Sequence, residues 1–112
     1  MRRVRVHADF RVDQAAQLRW LVELGEGSWV DHLIAGTRWI VRTLTRFPAI
    51  GPIRATDGSL VLRSIRYPKG PYVAWYMYDE NDPDGYVVLV RLFHLRQEQP
   101  EPDLARWPLP RS

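Results

Sequence analysis

The chain has 112 residues, 46% of them hydrophobic, which fits one folded domain with a modest core. It contains no cysteine, which excludes disulfides and thiolate zinc sites. No apolar run approaches the roughly 20 residues that cross a bilayer, and the Arg-rich start leads into alternating sequence, so a cytoplasmic protein away from the membrane is expected.

Residues 2–8 alternate polar and apolar, with Val4 and Val6 on one side, and predict a strand. From Val12 the period becomes helical: Val12, Ala15, Leu18, Leu21 and Val22 fall on one side, and Gly25 and Gly27 end the helix. Ser28, three residues before Asp31, reads as a capping-box start for a second helix. Its expected buried stripe is Val30, Leu33, Thr37, Ile40, Val41, Leu44 and Phe47, with Gly36 allowing close approach of the first helix and Pro48 ending it. Gly51, Pro52 and Asp57-Gly58 are loop punctuation. Three β-rich segments follow: Leu60 to Tyr67, Pro71 to Tyr78 and Tyr86 to Arg96. The expected fold class is α+β, ordered β-α-α-β-β-β, with a helical hairpin on one face of a small, mainly antiparallel sheet. Residues 1–96 form the expected domain. Residues 97–112, with four prolines, form a tail in which Leu104 and Trp107 are candidate anchors.

Several constellations invite chemistry. Strand alternation puts His94 and Arg96 on one face, and Arg63 sits amid strand hydrophobics, where an unpaired guanidinium is costly. Converging on an open sheet face, Arg63 and Arg96 would hold phosphate while His94 moves a proton. The plainer alternative is a hydrogen-bonded histidine with solvated or paired arginines. Arg38, Arg42 and Arg46 form a stripe along the second helix, either a solvated face or a docking surface for an acidic partner or nucleic acid. Tyr72, Tyr76 and Tyr78 share one face of the middle strand and Val73, Trp75 and Met77 the other. The second set reads as core. The tyrosines either cover a small core or bind a partner. Fifteen of the sixteen Lys+Arg residues are arginine, with Lys69 the exception. That fork suits phosphate and carboxylate, although a GC-rich coding sequence produces the same bias. The acidic stretch Asp79 to Gly85 lacks the carboxylate a calcium loop needs at its twelfth position, which is Arg91, and reads as a turn. His7, His32 and His94 lack metal-ligand spacing, and there is no phosphate loop, so neither metal nor cofactor is expected.

In this order the pieces resemble the RelE/ParE toxin superfamily over roughly residues 3–97. They are the opening strand and the helical hairpin, then Arg46-Phe47-Pro48 with Gly51, and Gly58 to Arg63. Pro71-Tyr72 with Trp75-Tyr76, and Val90 to Gln97, complete the set. The resemblance implies the growth-inhibiting half of a bacterial toxin–antitoxin pair, neutralised by an acidic, partly disordered antitoxin. RelE-like members cut mRNA on the ribosome; ParE-like members inhibit DNA gyrase. The lysine cluster of RelE-like proteins is missing here. The long paired helices, the Phe-Pro-x-x-Gly exit and the histidine ending the last strand look more ParE-like. Gyrase inhibition is therefore the favoured expectation, with Tyr72, Tyr76, Arg38, Arg42 and Arg46 as binding candidates. The alternative is ribosome-dependent RNA cleavage, with His94, Arg63 and Arg96 as catalytic candidates.

Overall fold

The computed structural model describes residues 1–110. The elements run β1 (Val4–Val6), α1 (Ala8–Glu23), α2 (Gly27–Arg46), β2 (Ile53–Asp57), β3 (Leu60–Arg66), β4 (Tyr72–Asp79) and β5 (Val87–His94). A short 3-10 turn, Leu104–Arg106, follows. The protein is thus an α+β fold with two helices on a five-stranded, mostly antiparallel sheet ordered β1-β5-β4-β3-β2. Only β1 pairs in parallel, Val4 opposite Val87, because the helical hairpin carries the chain across the sheet before the antiparallel meander begins.

The expected order lacked one strand. Ile53–Asp57 pairs with β3, and Gly58-Ser59 is the two-residue hairpin turn, with Asp57 opposite Leu60 and Gly58 at φ +59°. Glycine at the first turn position supplies the positive φ that such a tight hairpin needs, and the segment before it is largely exposed and too short to show its alternation.

Both helices begin elsewhere than expected. Helix α1 starts at Ala8, and His7 caps it by accepting the Asp9 N–H on Nδ1 at 3.0 Å. That earlier start makes Phe10 and Leu21 the buried residues, while Val12 and Val22, expected inside, are 68% and 66% exposed. Helix α2 starts at Gly27 after Glu26, so Ser28 lies inside the first turn and caps nothing. Its buried stripe is Leu33, Gly36, Ile40 and Leu44. Phe47 lies beyond the helix and outside the stripe, 60% exposed. The close approach at Gly36 is to the ring of Tyr67, not to α1: a Cβ there would meet Cδ2 at 2.5 Å.

Both faces of the sheet are covered. The helices bury one face around Tyr72, Tyr76, Tyr78, Leu89 and Leu92. The tail crosses the other, where Leu104 and Trp107 join Leu62, Val73, Trp75, Met77, Val90 and Phe93. The sequence boundary at residue 96 therefore marks a change of composition, while packing continues through it. Most of the sheet is covered in this way, because five strands with apolar residues on both faces need two covers.

The tail is latched to the N-terminal end of α1. Asp9 Oδ2 accepts from Arg106 Nε at 2.7 Å and from Trp107 Nε1 at 2.9 Å. These two hydrogen bonds, Arg106 first, hold the Asp9 carboxyl below its usual 3.8. A depressed folded pKa contributes stability that is present above the unfolded pKa and lost as pH falls through the folded one. Asp9→Asn is expected to lower stability by a constant amount above about pH 5, with the gap to wild type closing below about pH 4. Urea unfolding across that range checks it; a gap independent of pH would mean the carboxylate's charge contributes nothing.

Candidate functional site

β1 runs opposite only Val87–Leu89, so the far half of β5 has no strand on its outer side. Helix α1 takes that place. Asp13 accepts the Leu92 N–H at 2.9 Å and Arg91 Nε at 2.7 Å, closing the edge with a charge-assisted pair. This clamp sets the last turns of α1 beside the end of β5. Between them and the hairpin turn lies a cleft of about 520 Å³ lined by Trp20, Leu21, Leu24, Glu26, Trp29, Pro71, Tyr72, His94 and Arg96. An adjoining hollow shares Trp20, His94 and Arg96 and adds Gln17 and Gln97.

His94 is the fixed polar group of the cleft. Its ring meets Tyr72 edge-on at 5.6 Å and Trp20 at 6.4 Å. Its Nδ1 accepts the Arg96 N–H at 3.1 Å, and its own backbone N–H donates to Gln97 Oε1 at 2.7 Å. Gln17 of α1 also donates to that oxygen. Burial first, and the Arg96 charge second, lower the imidazole's pKa from its ordinary 6.5. Both effects favour the neutral ring. With Nδ1 accepting, its proton sits on Nε2, so the group offers a donor and not a base.

Arg63 does not join it. The two residues share the helix-bearing face, but His94 stands opposite Tyr72 and Arg63 opposite Tyr76. Four residues of rise and one intervening strand separate them by on the order of 15 Å. Arg63 is occupied elsewhere: NH1 donates to the Gly51 carbonyl at 2.7 Å, Nε donates to the Tyr78 hydroxyl at 3.1 Å, and Glu80 lies 4.0 Å from NH2. The role demanded by an arginine amid strand hydrophobics is to fasten the chain leaving α2. Tyr76 does the same, donating to the Pro48 carbonyl at 2.7 Å and accepting the Gly51 N–H at 3.1 Å. His94 and Arg96 thus come together, and Arg63 stays apart.

The two tyrosines named as binding candidates are interior. Tyr76 is fully buried, and Tyr72, 2% exposed, lines the cleft. Both belong to the core cluster beneath the helices, and the Tyr76 hydroxyl is satisfied by the Pro48 carbonyl and the Gly51 N–H. Arg38, Arg42 and Arg46 are exposed along α2. Arg42 and Arg46 flank a groove of about 660 Å³ with Met1, Trp39, Phe47 and Ile50.

Sequence reasoning missed Trp20, Trp29, Arg54 and Arg66. Trp20 hides in α1, whose apolar residues are spread around the axis, and Trp29 lies in the first turn of α2 outside that helix's buried stripe. Arg54 and Arg66 line a hollow of about 350 Å³ beside the tail, where Arg54 donates to Ser64 Oγ at 2.9 Å. Arg54 was invisible because its strand was taken for a loop. Among the described residues no three His, Asp or Glu side chains cluster to hold a metal, and no helix is long and apolar enough to cross a membrane.

No family model matches the chain, and no curated protein matches it either.

Proposed function

We propose that the chain is the toxin of a bacterial type II toxin–antitoxin pair, RelE/ParE-like in fold, and that it acts by binding its target. The fold half of this reading is supported by a helical hairpin set between the first strand and an antiparallel meander, the arrangement implied by the sequence resemblance. The exit at Phe47, Pro48 and Gly51 adds support, since its backbone is gripped by Tyr76 and Arg63 as one unit. β2 and the packed tail are additions to the expected plan.

The observation that carries the binding mode is the commitment of Arg63 to the Gly51 carbonyl, which leaves His94 and Arg96 without a second guanidinium for a phosphorane. Binding in the ParE-like manner, with DNA gyrase as target, needs no such convergence. It needs an exposed face of mixed character, and the groove between Trp39, Phe47 and Ile50 with Arg42 and Arg46 beside it offers one. The same charge suits an acidic antitoxin.

Purified chain is expected to lower supercoiling by gyrase, and the double charge reversal Arg42→Glu with Arg46→Glu to raise the concentration required at least about tenfold, a loss of roughly 1.4 kcal/mol. Undiminished supercoiling at saturating chain would sink the gyrase reading. A RelE-like endonuclease reading draws on one observation, that His94 and Arg96 line the same cleft. It predicts cutting of ribosome-bound message that disappears in His94→Ala. Intact message removes it.

A further inference from the structure

On β1, strand alternation turns Val4 and Val6 toward the helices and sends Arg3 and Arg5 to the opposite side. Both guanidinium groups reach the same atom. Arg5 NH2 lies 3.1 Å and Arg3 NH1 3.4 Å from the hydroxyl of Tyr86, and their Cζ atoms stand 4.3 and 5.7 Å from the centre of its ring. Neither arginine has a carboxylate within ion-pair distance among the described residues. Arg91 and Arg106, by contrast, are matched to Asp13 and Asp9.

Two like charges gathered on one neutral oxygen repel each other, and a phenol supplies only partial compensation. The hydrogen bond from Arg5 and the charges of both arginines pull the Tyr86 hydroxyl below its ordinary pKa, and no acidic group acts on it. The site is exposed, so an ion can enter without opening the fold. A carboxylate carries one negative charge on two oxygens, which leaves two guanidinium charges only half compensated. A phosphate has enough oxygens to take both forks and the phenol proton together.

We propose that Arg3, Arg5 and Tyr86 form a phosphate-binding site on the β1 edge of the sheet, separate from the His94 cleft and from the α2 groove. The proposal does not depend on the toxin reading. Its ligand is a phosphate group, either free as a monoester or carried in a nucleic-acid backbone. The planar guanidinium stacked on Tyr86 also offers a face to a neighbouring base, which a free phosphate would not use.

The test titrates the whole chain with orthophosphate and, separately, with a labelled single-stranded oligonucleotide at low salt. Arginine Nε–H resonances and fluorescence anisotropy are the readouts. Saturable binding is expected, with Arg3 and Arg5 signals shifting together. The double variant Arg3→Gln, Arg5→Gln is expected to weaken it at least about tenfold. The variant Arg11→Gln, Arg19→Gln removes the same charge from exposed positions on α1 and should bind as wild type does. If the oligonucleotide binds more tightly, the double variant should also reduce the slope of log affinity against log salt by about 1 to 2, assigning the backbone as the source. If orthophosphate competes equally, the source is a free phosphate. No saturable binding of either probe, or equal losses in the two double variants, overturns the site. Gyrase and message assays read none of these quantities, so failure here and failure of the toxin reading are separate results.

Discussion

Gly51→Ala is expected to cost roughly 3 kcal/mol, the upper end of what overpacking does, and to lower Tm by about 10–20 °C. The reason is the position of the glycine, not its backbone angles. A Cβ there would overlap the carbonyl oxygen of Ser64, a backbone atom of β3 that no rotamer change can move. The neighbouring register is fixed as well, since the Ser64 N–H donates to the Pro52 carbonyl at 3.1 Å. Relieving the overlap means lifting residues 48–52 off the sheet. That breaks the Tyr76 hydrogen bonds to Pro48 and Gly51 and takes the Gly51 carbonyl from Arg63, leaving a mostly buried guanidinium short of a partner. Gly27→Ala is the control, because nothing lies within 4 Å of a Cβ at that helical position. Thermal melts of the two variants check the expectation. A Gly51→Ala protein melting within about 2 °C of wild type would mean that Gly51 does not lie against the Ser64 carbonyl as described.

That glycine shows where sequence reading reaches and where it stops. The Phe-Pro-x-x-Gly exit was visible as a motif, but its purpose was not, since Ser64 and Tyr76 are set beside it only by sheet register. Strands β3, β4 and β5 were legible because they are dense in aliphatic and aromatic residues and are bounded by turns. Strand β2 was not, because five largely exposed residues carry no apolar alternation. The α1 stripe was misjudged for a related reason. Its apolar residues surround the axis, so periodicity could not say which side faces the sheet. The answer came from Phe10, which lies before the expected start of the helix at Val12. Of the candidate site, His94 and Arg96 do line one cleft, but not by the expected alternation: β5 ends at His94, and Arg96 lies in the turn that follows, where its N–H donates to His94 Nδ1. The distance to Arg63 could not be read, because it depends on which residue of β4 stands opposite each. The tyrosines looked surplus to a core only while the second face of the sheet was thought to be bare.

What covers that face leads to the other large effect. Removing residues 97–112 is expected to yield a chain that does not hold a native fold at 37 °C. The tail supplies Leu104 and Trp107, 8% and 2% exposed, to a cluster that includes Trp75, Met77, Val90 and Phe93. Trp107 meets Trp75 edge-on at 6.4 Å and is anchored by its indole N–H on Asp9, while Gln99 accepts the Trp75 indole N–H at 3.2 Å. Trp107→Ala alone is expected to cost about 3–5 kcal/mol by loss of transfer free energy and the cavity left behind. A small domain has only about 5–15 kcal/mol in total. Deletion removes that anchor, Leu104 and both indole hydrogen bonds, and it bares a contiguous apolar face of the kind that aggregates. The measurements are soluble yield and Tm for the deletion and for Trp107→Ala, read beside Pro108→Ala, whose residue is exposed. A deleted chain that stays soluble and melts like wild type would make the tail a removable lid, and the sheet beneath it an available surface. A deletion that unfolds the chain would mean that the tail is part of the fold, and that the accessible features are the α2 groove, the cleft at His94 and the arginine edge of β1.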